Sequence, residues 1–121
     1  MKRAIVLIDH GSRRAEANAQ LETVAAEVRQ RCPDDVVACA HMELAEPDLA
    51  QAVAACIESG AREIVVHPYF LGPGRHTQED IPRMVEQIAR EHPEVAIRVS
   101  DPLGVHPGVI DAVLDRVSRA R

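Results

Sequence analysis

Four times along the chain a short apolar run rich in β-branched residues gives way to apolar residues at helical spacing. That alternation constrains the fold more than any other feature. Residues 3–9 (Arg-Ala-Ile-Val-Leu-Ile-Asp) are almost continuously apolar, as expected of a parallel strand covered on both faces. Leu21, Val24, Ala25 and Val28 follow at i, i+3, i+4 and i+7, which is one face of a helix. Residues 35–41 give a second strand. Pro47 suits the start of a second helix, whose buried stripe is Leu49, Val53, Cys56 and Ile57 and whose end is marked by Gly60. The third strand runs from Glu63 to Tyr69. Phe70 to His76, containing Gly72, Pro73 and Gly74, is the longest irregular stretch. Thr77 and Asp80 have the spacing of a capping box, ahead of a helix whose apolar face is Ile81, Met84, Val85 and Ile88. Residues 95–99 form a fourth strand, and Pro107 opens a last helix carrying Ile110, Val113, Leu114 and Val117.

Strands alternating with helices imply right-handed crossovers and a parallel sheet. The predicted fold is therefore an α/β three-layer sandwich with neighbouring strand order 2-1-3-4. Its 121 residues are read as a single domain, 1–121, large enough to bury a core without staples. The first apolar run, Ala4 to Ile8, is too short for a signal-peptide core or a membrane span. Cys32, Cys39 and Cys56 are an odd set with no CxxC pair, each in or beside a core segment, so they are read as reduced thiols. A cytoplasmic protein with no membrane partner is expected. A net charge of −5 opposes non-specific binding to nucleic acid, although Arg13, Arg14 and Arg75 leave room for an anionic small molecule.

Open parallel sheets bind ligands outside the carboxyl ends of their strands, near the point where strand order reverses. For order 2-1-3-4 that point lies between the first and third strands. Asp9-His10-Gly11-Ser12-Arg13 leaves the first strand, His41-Met42-Glu43 the second, and Tyr69 through His76 the third. Neighbouring strands lie about 4.8 Å apart, so His10 and His76 can reach one ion together. Two imidazoles and the Glu43 carboxylate suit a divalent metal such as Co²⁺, Fe²⁺, Ni²⁺ or Zn²⁺. Each residue has a plainer reading. A strand-end histidine serves equally as a hydrogen-bonding group, Glu43 as a solvated loop residue, and Tyr69 and Phe70 as lids on a core. Gly72-Pro73-Gly74 reads equally as a turn. His41 and His67 fit core or hydrogen-bonding roles, and His92 and His106 fit surface and loop positions. A dinucleotide or P-loop fingerprint is absent, which weakens a nucleotide-binding reading, and Ser12 beside His10 lacks a nucleophile elbow.

Three segments carry a family resemblance: Ile-Asp-His-Gly-Ser-Arg at 8–13, Met-Glu-Leu-Ala-Glu-Pro at 42–47, and Pro-Tyr-Phe-Leu-Gly-Pro-Gly-Arg-His-Thr-Gln-Glu-Asp-Ile-Pro at 68–82. With them the chain resembles the short sirohydrochlorin chelatases, cobaltochelatase and ferrochelatase types, of the class II chelatase superfamily. Asp9 departs from the pattern, where the family often has Gly before the histidine. The resemblance implies a lyase that inserts Co²⁺, Fe²⁺ or Ni²⁺ into sirohydrochlorin for cobalamin or siroheme synthesis. It makes His10 and His76 the metal-binding pair and Glu43 the nearby acid. No permanently bound cofactor is implied, because the metal is a substrate. The family fold looks like two similar α/β domains facing across a cleft, so one such domain implies a homodimer with the macrocycle between subunits. Gly11, Ser12, Arg13, Gly72, Gly74 and Arg75 would then meet the substrate's carboxylates through backbone N–H and guanidinium groups, and Phe70 and Leu71 would pack on the ring. A carrier of metal or tetrapyrrole with the same fold is the alternative, distinguished by turnover.

Overall fold

A computed structural model describes residues 2–75 and 79–121. The elements run β1 (Arg3–Asp9), α1 (Ala15–Arg31), β2 (Val36–His41), α2 (Leu49–Glu58), β3 (Glu63–Pro68), α3 (Ile81–Glu91), β4 (Ala96–Val99) and α4 (Pro107–Ser118). The four strands form one parallel sheet in the order β2-β1-β3-β4, as the alternation predicts. The right-handed crossover from β1 to β2 places α1 on one face of the sheet. The crossovers running the other way place α2 and α3 on the opposite face.

Two cores result. Under α2 and α3, the β1 residues Ala4, Val6 and Ile8 meet Ile64 and Val66 of β3, and helix residues Leu49, Val53, Cys56, Ile81 and Val85 close over them. Under α1, Leu7, Val37 and Cys39 pack against Leu21 and Ala25. Met84 of α3 is half-buried and joins the larger core. The three thiols are free, with Cys39 and Cys56 buried and Cys32 half-buried. Burial pushes the Cys39 thiol up to about 12, and the nearby Glu22 adds to the shift. Among the described residues no helix is long and apolar enough to cross a membrane.

One expectation needs correction. Pro47 does not open α2. Asp48 caps it instead: its side chain accepts from the Gln51 N–H at 2.8 Å, and the Gln51 side chain accepts from the Asp48 N–H at 2.8 Å. This reciprocal box, worth about 1 kcal/mol, satisfies donors that proline does not have. The capping box expected at Thr77 falls on a residue outside the described ones. The last helix opens at Pro107 as expected. It buries none of its residues: Ile110, Val113, Leu114 and Val117 are 47–65% exposed. Periodicity reports that a helix has an apolar face, and says nothing about whether the same chain covers it.

Candidate metal site at the carboxyl edge of the sheet

The β1–β2 ladder does not stop where the strands do. Met42 donates its N–H to the Asp9 carbonyl at 2.9 Å and Glu43 donates to the His10 carbonyl at 3.1 Å, so the two segments stay paired past the strand ends. This continuation sets Glu43 beside His10. The two side chains meet at 2.9 Å, His10 Nε2 to Glu43 Oε1, with both largely in solvent. An ionised Glu43 only accepts, so Nε2 carries the proton in this pairing.

Gly11 permits the approach. Its φ is +94°, and a Cβ there would stand 1.9 Å from the Glu43 carbonyl oxygen and 3.2 Å from the His41 Cβ. Any side chain would therefore push the second segment away, at an unfavourable backbone angle. Gly72 and Gly74 differ, since a Cβ at either meets nothing within 4 Å.

One residue back, in register across the same two strands, Asp9 faces His41. His41 Nδ1 donates to Asp9 Oδ1 at 2.6 Å, and the His41 side chain is only 3% exposed. Thus His41 is the buried hydrogen-bonding group that its plainer reading describes. Asp9, the departure from the resembled pattern, is the carboxylate that satisfies it. On the other side, His67 of β3 meets Ser100 Oγ at 2.8 Å through Nδ1. Burial lowers the His67 pKa, outweighing an opposing contact with the Asp101 backbone. His106 caps α4, its Nδ1 accepting from the Gly108 N–H at 2.9 Å.

A cleft of about 320 Å³ opens at the exposed pair, lined by His10, Met42, Glu43, Asp80, Arg83 and Met84. It adjoins a second of about 270 Å³ along Met42 and Met84, between α2 and α3. Met42, Asp80, Arg83 and Met84 were not read from the sequence as site residues. Met84 belongs to the apolar stripe of its helix, which masks any second role, and Arg83 has no motif around it. Their place in the cleft follows from how α3 lies across the sheet.

The other expected residues are more scattered. Ser12 is already engaged: its N–H donates to Asn18 Oδ1 at 2.9 Å and its carbonyl accepts from Asn18 Nδ2 at 2.8 Å. Arg13 is exposed. Phe70 packs on the larger core and Tyr69 on the smaller, so the aromatic pair straddles the sheet. Leu71 is 70% exposed, and Arg75 stands in solvent 3.8 Å from Glu79. His76 lies outside the described residues. Asp80, four positions after it in the chain, lines the cleft. Among the described residues no three His, Cys, Asp or Glu side chains gather into a metal-holding group, and His10 with Glu43 supplies two donors.

The profile of the CbiX family matches residues 4–120. The chain belongs to the CbiX family. CbiX relatives come in two lengths. A sirohydrochlorin cobaltochelatase of Methanocaldococcus jannaschii is 34% identical, with 93% of this chain aligned to 96% of that protein. A chloroplastic sirohydrochlorin ferrochelatase of Arabidopsis thaliana is 41% identical over 93% of this chain, which spans only half of that protein. The crystal structure of the sirohydrochlorin chelatase SirB from Bacillus subtilis subspecies spizizenii in complex with cobalt superposes with a TM-score of 0.91 at 30% identity. It covers 98% of this chain and half of that one. The CbiX fold and the 2-1-3-4 sheet are thus shared with a cobalt-bound chelatase.

Proposed function

We propose that this CbiX-family chain inserts a divalent metal into sirohydrochlorin at the cleft holding His10 and Glu43. The observation that carries the reading is the 2.9 Å His10–Glu43 pair, solvent-facing and lining a cleft at the carboxyl edge of the sheet. Metallation removes two pyrrole N–H protons and delivers M²⁺ to one face of the ring. Imidazole, with an ordinary pKa of about 6.5, can both donate a lone pair to a metal and take up a proton near neutral pH. His10 and His76 hold the ion and receive the protons, and Glu43 balances the charge and passes protons to solvent. Met42 and Met84 offer an apolar wall to the macrocycle, and Arg83 offers a cation to its carboxylates. Gly11, Ser12, Arg13 and the Phe70-to-Arg75 loop complete the substrate surface in this reading, with Ser12 acting through its placement of the loop because its N–H is held by Asn18.

The Methanocaldococcus jannaschii relative, matched along nearly its whole length, is a cobaltochelatase, which supports Co²⁺ ahead of Fe²⁺ and Ni²⁺. Histidine and carboxylate do not separate these ions by themselves. Two copies of this half-length chain are proposed to enclose the macrocycle, supported by the double length of the ferrochelatase and SirB relatives. Free thiols support a reducing, cytoplasmic setting.

The test is visible absorbance of sirohydrochlorin mixed with the protein and Co²⁺, Fe²⁺ or Ni²⁺ separately, beside His10→Ala and His76→Ala. Catalytic spectral change above the spontaneous rate, lost in both variants, is expected. Change that stops at one equivalent per site would identify a carrier instead, and no acceleration with any ion would overturn the enzyme reading.

A further inference from the structure

The cleft at the sheet edge holds a second set of donors beside its histidine and carboxylate. Met42 and Met84 line it together with His10, and the same two methionines line the adjoining cleft, so they stand between the two. Backbone pairing brings His10 and Met42 together. Met42 donates its N–H to the Asp9 carbonyl and Glu43 donates to that of His10, which keeps the two segments about 4.8 Å apart. Ile8, two residues before His10, points into the core under α2 and α3, and Met42 packs against that same core. Met84 reaches it from α3. The three side chains thus meet one cleft of about 320 Å³ from three different segments.

Thioether sulfur is a soft, polarisable donor on a flexible stem. Imidazole and carboxylate suit mid-row dications, whereas thioethers select Cu⁺. Both methionines are half-buried. Entering such a place costs a monovalent ion less hydration than a divalent one, because the Born cost grows with the square of the charge.

We infer that Met42, Met84 and His10 form a site for Cu⁺, with two thioether sulfurs and one imidazole nitrogen as its ligands. Glu43, 2.9 Å from the His10 ring, balances the single positive charge. His10 belongs to both donor sets, so Cu⁺ in this site and a dication on His10 and Glu43 exclude one another. The site rests on the cleft alone and holds or fails whether or not the chain turns over a tetrapyrrole.

Anaerobic titration of the full chain with Cu⁺ against the chromophoric chelator bicinchoninate, with no tetrapyrrole present, tests the site. Met42→Leu and Met84→Leu each remove a sulfur while nearly keeping volume and apolarity, so both variants should fold. The wild type should take up one equivalent of Cu⁺. Each methionine variant should bind it about tenfold more weakly or worse, at least the loss that removing an outer partner causes at a metal site. Cys32→Ser, measured beside them, should bind as the wild type does, since that half-buried thiol is the rival soft donor. Unchanged affinity in either folded methionine variant, loss of Cu⁺ in Cys32→Ser, or no uptake by the wild type would overturn the site. Metallation of sirohydrochlorin by the same wild-type sample is scored separately, so a chain that turns over without holding Cu⁺ fails this inference alone.

Discussion

Two histidine–carboxylate pairs sit side by side at the carboxyl ends of β1 and β2, and they are built for opposite purposes. His41 and Asp9 lie within the ladder at 2.6 Å, with side chains 3% and 21% exposed. His10 and Glu43 lie just past it at 2.9 Å, 45% and 59% exposed. The inner pair is largely shielded from solvent, His41 above all, so each group depends on the other for satisfaction. Solvent and the cleft meet the outer pair, where an ion or a proton can reach it. An exposed ion pair adds little to stability, which leaves it available for chemistry. One step along the paired segments separates a structural histidine from a candidate metal ligand.

The most direct way to break the comparison is at the outer pair. His10→Ala should lower turnover by about 100-fold or more while the melting temperature stays nearly unchanged, checked by metallation kinetics beside thermal unfolding. Loss of folding in this variant would place His10 with His41. Gly11→Ala strikes the joint between the pairs. Its Cβ would collide with the Glu43 carbonyl, so about 2–3 kcal/mol of stability and most of the turnover should be lost together. Next, His41→Ala should cost about 2–3 kcal/mol in urea unfolding by leaving the Asp9 carboxylate without its donor. Its turnover, measured well below the unfolding midpoint, should change far less than in His10→Ala.

Glu43→Gln keeps the size and the hydrogen bond but removes the charge. Turnover should fall about tenfold with stability unaltered, and an unchanged rate would reduce Glu43 to a solvated loop residue. The smallest effect concerns a third histidine. Burial lowers the His67 pKa, so the unfolded chain binds that proton first as pH falls. Its contribution is therefore intact above about pH 6.5 and is lost as pH drops from there through the lower folded value. His67→Asn should flatten that part of the stability curve, read from urea midpoints between pH 5 and 7.

Much of this architecture was legible in the chain because its signals are local. The β-branched runs and helical stripes located eight elements, and crossover handedness then ordered the sheet. His10 and Glu43 were legible as strand-end residues of the right chemistry. Arg83 and Met84 were not, because nothing in their neighbourhood distinguishes a cleft residue from an ordinary helix residue. His41 and His10 look alike in the sequence, each at the carboxyl end of a strand. Their fates differ because register puts Asp9 opposite His41 and carries His10 one step into the open.

What the sequence by itself determined is the set of elements, their order and the chemistry available at the sheet edge, since periodicity and residue type act over a few positions. Tertiary structure alone decided which histidine is buried, which helix residues line the cleft, and that α4 keeps its apolar face uncovered. Those outcomes depend on pairing and packing between segments far apart in the chain. An apolar stripe specifies that a helix has a face to cover, and only the assembled fold shows that the described residues of this chain leave it in solvent.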